Sequence, residues 1–154
     1  MFLVGGFFIF GVLSTDNVAT VNGHDITRTV FDAELEKKIV FYQHSEQEVD
    51  TATLQKDVLD QLIDKQIVEA YAEENEIHID DEAVNNYYNQ RVSSYDNEQA
   101  FLADLRQLYG LDKPAYLENV RYELLREAVQ QHVDQPLTDW LETERSNSKI
   151  IIKL

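Results

Sequence analysis

The chain of 154 residues and 17.9 kDa has the size of one ordinary domain, and its 44% apolar and 27% charged residues are the mixture of a folded soluble protein, not a disordered tail. Acidic side chains outnumber basic ones 29 to 13, for a formal net charge of −16, which repels phosphate backbones and argues against nucleic-acid binding. The absence of cysteine excludes disulfides, a thiol nucleophile and thiolate zinc sites, while only 2 Pro and 5 Gly favour long helices over a turn-rich all-β chain.

Met1 to Leu13 carry no charge and four of the seven Phe. Thirteen helical residues rise roughly 20 Å, short of the roughly 30 Å hydrocarbon core, so this stretch suits the apolar part of an export signal or a membrane anchor better than a complete span. Residues 1–15 are therefore set apart from a folded domain over 16–154.

Val18 to Thr27 places β-branched residues around Asn22-Gly23, the strongest short hairpin dipeptide. Thr27 can cap a helix in which Phe31, Leu35, Ile39 and Tyr42 recur at helical spacing. The polar stretch Gln43 to Thr53 reads as a loop, and Leu54 opens the longest periodic segment, through Val58, Leu62, Ile67 and Tyr71. Ile77-His78-Ile79 is a short extended linker, and Asp80 an N-cap for a helix bearing Val84, Tyr87, Tyr88 and Val92. Asp96 with Gln99 forms a capping-box pattern for a helix carrying Phe101, Leu105 and Leu108, which Gly110 ends. Asp112, with Pro114 behind it, starts the next helix, which bears Leu117, Val120, Leu124, Leu125, Ala128 and His132. Pro136 breaks the run before a short helix with Leu137, Trp140 and Leu141, and Lys149 to Leu154 reads as a strand. A lone strand leaves its backbone groups unpaired. The only other strong strand candidate is Val18 to Val21, so the two ends of the domain are predicted to pair.

The four His residues, 24, 44, 78 and 132, lie in separate segments without metal-ligand spacing. No G-x-S-x-G elbow or phosphate-cradling loop occurs. The acidic group from Glu73 to Glu82 lacks the glycine and glutamate that a calcium loop needs, and is explained by solvated helix ends. No catalytic residue, metal or cofactor is indicated. Tyrosine offers apolar area with a polar tip, a property suited to binding varied peptides. Tyr87, Tyr88, Tyr95, Phe101, Tyr116 and Tyr122 are the candidate residues for a peptide-binding groove, although a tyrosine at helical spacing is more often half-buried core.

Three segments carry a family likeness. Val18-Ala-Thr-Val-Asn-Gly-His-Asp-Ile-Thr27 resembles the "V-x-V-N-G-x-x-I-T" opening of the SurA N-terminal chaperone domain, shared by SurA, PpiD and PrsA-type foldases. The helix from Val58 to Ala72, followed by Ile77 to Val84, is similar to that family's "L-x-x-L-I-x-x-x-L-x-x-x-x-A" helix and "I-x-I-x-D-E-x-V" linker. Gln99 to Leu105, Gly110 and Tyr116 to Leu125 resemble its next helix pair. The likeness covers roughly residues 18 to 154.

The resemblance implies a mostly α, multi-helix peptide-binding domain with a small β pairing of its first and last strands. It further implies an ATP-independent chaperone that binds unfolded or nascent exported polypeptides at the extracytoplasmic membrane face, held there by its N-terminal segment. Family members commonly carry a parvulin prolyl-isomerase domain near the break marked here by Pro136. Asp134 to Pro136 leave no room for one, and the parvulin "R-x-x-H-I-L" segment is missing. Two alternatives stand beside that reading. One is a diverged prolyl isomerase, and the other a helical module docking one dedicated folded partner, including a homodimer through swapped terminal strands.

Overall fold

A computed structural model of the chain describes residues 16–45 and 48–154. The uncharged stretch from Met1 to Leu13, read above as an export signal or anchor, lies outside the described residues. Elements follow in the order β1 (Asn17–Val21), β2 (His24–Thr27), α1 (Arg28–His44), α2 (Thr51–Glu74), α3 (Asp81–Val92), α4 (Glu98–Tyr109), α5 (Lys113–His132), α6 (Leu137–Asn147) and β3 (Ile150–Ile152). Helix dominates, beside one small antiparallel sheet of strand order β2-β1-β3, the fold class expected from the sequence.

Local chemistry sets most boundaries. Asn22 and Gly23 take φ of 52° and 91°, the positive values that a two-residue hairpin with native twist requires. Side chains of Thr27, Asp50, Asp80, Asn97 and Asp112 each accept a hydrogen bond from the main-chain N–H three residues on, satisfying donors that a helix start leaves open. Gly110 ends α4 at φ 64° with its N–H donating to Arg106 O, a left-handed cap. Two helix starts differ from the sequence reading. The α2 helix begins at Thr51, not Leu54, because Asp50 caps it through the Thr53 N–H at 3.1 Å. The cap of α4 is Asn97, which bonds Ala100 N at 2.9 Å, so the Asp96–Gln99 box does not form.

The β1–β3 pairing argued from strand satisfaction is present, with Ala19, Thr20 and Val21 facing Ile152, Ile151 and Ile150. Asn22 fastens the junction. Its N–H donates to Lys149 O at 3.0 Å, its Oδ1 accepts from Lys149 N at 2.8 Å, and its Nδ2 donates to Ser148 Oγ at 3.2 Å. On the other side of β1 the register with β2 slips between Asn17 and Ala19. Such a bulge re-aims side chains, and the successive residues Val18 and Ala19 are both fully buried.

Apolar burial divides into two clusters. The larger joins the sheet (Val18, Val21, Ile26) to α1 through Phe31, to α2 through Val58, Ile63 and Val68, to the end of α5 through Val129, and to α6 through Trp140 and Leu141. The smaller holds Tyr88, Phe101 and Leu105, with Tyr116 and Leu117 packed on it, and ties α3 and α4 to the start of α5. The 20-residue α5 belongs to both. Arg145 binds α6 to α2: its guanidinium reaches Asp64 Oδ1, Asp60 Oδ1 at 3.1 Å and Asp60 O at 2.6 Å. Burial pushes the Asp60 carboxyl up, but hydrogen bonds from Lys56 and Arg145 outweigh it and hold the group below its ordinary value.

Removing Ile150 to Leu154 should lower unfolding free energy by about 2–4 kcal/mol, from lost ladder bonds and Ile150 packing; unchanged thermal melting would contradict the pairing. A carboxyl whose value is lowered by folding stabilises the native state above its unfolded value and loses that contribution as pH falls. Stability measured by urea titration should therefore decline below about pH 4, and Asp60→Asn should make that decline shallower.

Candidate functional site

Between α1, α2, α5 and α6 lies a cleft of about 440 Å³. Its walls follow from helical periodicity: Val58 and Leu62, one turn apart on α2, are buried together with Leu141 of α6, whereas Val30 on the first turn of α1 is 47% exposed at the rim. Gln61 and Asn119 add polar groups, and Glu34, Asp64, Lys65, Glu123 and Arg126 add charged ones. Tyr122 of α5 lines the cleft, its ring flanked by Lys65 Nζ at 5.5 Å and Arg126 Cζ at 6.0 Å from the centroid. Burial pushes the Tyr122 phenol far above its ordinary value despite the nearby Arg126 charge. The hydroxyl therefore stays protonated and can donate a hydrogen bond, but cannot serve as a base near neutral pH.

The other aromatic candidates gather elsewhere. Phe101 sits at the centre of an edge-to-face cluster with Tyr95, Tyr116 and Tyr88 at ring distances of 5.1, 5.3 and 5.7 Å. Phe101 and Tyr88 are 5% and 3% exposed, so their ring faces are spent on packing. The Tyr88 hydroxyl donates to Glu98 Oε1 at 2.7 Å, and Lys113 Nζ bonds the same carboxylate at 2.7 Å while lying 4.4 Å from the Tyr88 ring centroid. Tyr95 is exposed, Tyr116 half-buried, and Tyr87 half-buried beside Arg91, whose Cζ lies 5.8 Å from its centroid.

Five of the six residues thus share the α3–α4–α5 end of the molecule, and Tyr122 alone lines the cleft. Sequence reasoning did not single out Val30, Leu62 or Leu141 as site residues. Val30 precedes a buried Phe31 with nothing in its spacing to mark it, and the other two read as ordinary core. His132 is exposed, 2.9 Å from the Tyr71 hydroxyl, with Trp140 packed edge-on to Tyr71 at 4.8 Å. This is an inter-helix contact of α2, α5 and α6.

The arrangement offers an apolar floor with hydrogen-bonding and charged groups around it. Among the described residues no group of three or more His, Asp or Glu could hold a metal ion, and no helix is long and apolar enough to cross a membrane.

A family model described as the SurA-like N-terminal domain matches residues 1–130. No curated protein matches the chain. The match takes in the hairpin, α1 to α4, most of α5 and all residues of the aromatic cluster.

Phe101→Ala should cost about 3–5 kcal/mol, since it removes the ring on which three others pack. Because its cluster is separate from the larger core, amide exchange should accelerate most in α3, α4 and the first half of α5.

Proposed function

The chain belongs to the SurA-like N-terminal domain family, and from that membership together with the cleft we infer an ATP-independent chaperone that captures unfolded segments of exported proteins. The observation that carries this reading is the cleft itself. It combines a buried apolar floor, an apolar rim residue and a protonated tyrosine, and it binds by shape and apolarity without demanding one sequence. Ligand sites of this kind pair apolar walls with a few polar groups that orient the occupant.

Affinity follows from area. Burying about 400 Å² of apolar surface gives a gross gain near 10 kcal/mol at about 25 cal/mol per Å². Association and ordering costs offset much of it, leaving weak binding between the high-micromolar and millimolar ranges. Binding of that strength is reversible, so a client can leave and fold without nucleotide hydrolysis. The net charge of −16 attracts basic clients and repels acidic ones. The extracytoplasmic membrane face is the proposed location, supported by the uncharged, Phe-rich composition of Met1 to Leu13.

The test is suppression of aggregation of two unrelated unfolded proteins, one basic and one neutral, by the full chain without nucleotide. Both should be protected at near-stoichiometric ratio, and protection of the basic client should weaken between low and physiological salt. Val30→Glu puts a charge at the apolar rim and should reduce apparent affinity roughly tenfold, whereas Ala103→Glu, on the exposed side of α4, should leave it unchanged. Failure to protect either client would refute general capture and favour a module for one dedicated partner.

A further inference from the structure

Among the described residues the sheet is open on the side of β3. Strands in an antiparallel ladder bond through alternate residues on each side. Lys149 and Lys153 turn their main chains toward β1, since Lys149 O accepts from Asn22 N at 3.0 Å and Lys153 N donates to Val18 O at 2.8 Å. The alternation therefore turns the N–H and C=O groups of Ile150 and Ile152 to the opposite edge, where no strand pairs with them among the described residues. Ile151 and Ile152 are 44% and 58% exposed, so the edge is apolar as well as unpaired.

Side chains alternate too. Ile150 packs on the larger core, which leaves Lys149, Ile151 and Lys153 together on the outward face. At the free edge these three occupy the non-hydrogen-bonded positions, where facing residues approach to about 4.5 Å between Cα atoms and their side chains interact most closely. In a chain with more than twice as many acids as bases, neither lysine is in an ion pair among the described residues. Lys153 Nζ donates to the neutral Asn17 Oδ1 at 2.8 Å.

We propose that the free edge of β3 adds an extended polypeptide segment as an antiparallel fourth strand, selecting an apolar residue flanked two positions away on each side by acidic ones. The Lys149–Ile151–Lys153 stripe then faces an acid–apolar–acid stripe, and Ile150 and Ile152 each exchange two main-chain hydrogen bonds with the segment. A second copy of the chain is a poor occupant. Self-pairing about Ile151 would set Lys149 against Lys153 twice at the closest cross-strand positions, between two molecules of charge −16. The general repulsion that this charge exerts on acidic segments is screened over about 10 Å at moderate salt, whereas the cross-strand pairs lie within it. This edge is separate from the cleft of α1, α2, α5 and α6, so either can fail without the other.

The test titrates the full chain with a blocked Ser-Glu-Val-Val-Val-Glu-Ser peptide, followed through the amide resonances of Ile150 and Ile152. Those resonances should shift, and the Lys-flanked counterpart should bind roughly fivefold more weakly. N-methylation of the first and third valines should abolish binding, while methylation of the middle one should not. The double variant Lys149→Glu, Lys153→Glu should reverse the preference. Absence of shifts at Ile150 and Ile152 would overturn the proposal and leave the lysines as guards against edge association. Equal affinity for the two peptides, or indifference to the site of methylation, would overturn it as well.

Discussion

The antiparallel pairing of β1 with β3 is the constraint on which the rest of the structure depends. It joins residues 18–22 to 149–153 and so requires every intervening helix to return the chain to its starting point. Asn22 makes the closure specific: its left-handed turn conformation aims both its main chain and its amide at Lys149. Arg145 supports the same junction from behind. Its three hydrogen bonds to α2 fix α6, and α6 delivers β3 to the sheet.

From that closure follows a division of labour along the molecule. The sheet, α2, α6 and the end of α5 share one core, and α3 and α4 share a second with the beginning of α5. A helix spanning both transmits position but not burial. Each cluster can therefore respond to substitution on its own, as local stability allows. The cleft lies at the first core, where α1 and α5 stand over α2 without filling the space between Val30 and Tyr122. Tyr88 and Phe101, by contrast, use their ring faces on one another, so the aromatic richness of that region is structural at its centre, with Tyr95 exposed and Tyr87 and Tyr116 half-buried at its margin.

Two kinds of surface thus coexist on one small domain. The cleft sets a small apolar floor among polar and charged groups, and the β3 edge offers main-chain hydrogen bonds between two lysines. In the functions proposed for them they differ in what they select: the first side-chain volume, the second backbone extension and charge spacing. An unfolded polypeptide presents both features at once, and a rigid folded surface seldom does.

Much of this was legible in the sequence wherever the determinant was local. Asn22-Gly23, Thr27, Asp80, Gly110 and Asp112 act through groups within a few residues, so turn and cap chemistry placed them, as helical spacing placed Val58, Leu62 and Ile67 on the buried side of α2. The pairing of β1 with β3 was also legible, because only two segments had strand character and each needed a partner. The starts of α2 and α4 were not, since Asp50 and Asn97 compete with polar neighbours of equal capping ability and only the incoming chain direction selects between them. Nor could spacing alone divide the aromatics. Tyr116 and Tyr122 lie on the same helix six residues apart, yet the first faces the α3–α4 cluster and the second the cleft. Their six-residue spacing turns them about 120° apart on the helix, but which neighbour each side meets is set by how α5 crosses α2 and α3, a property of tertiary packing.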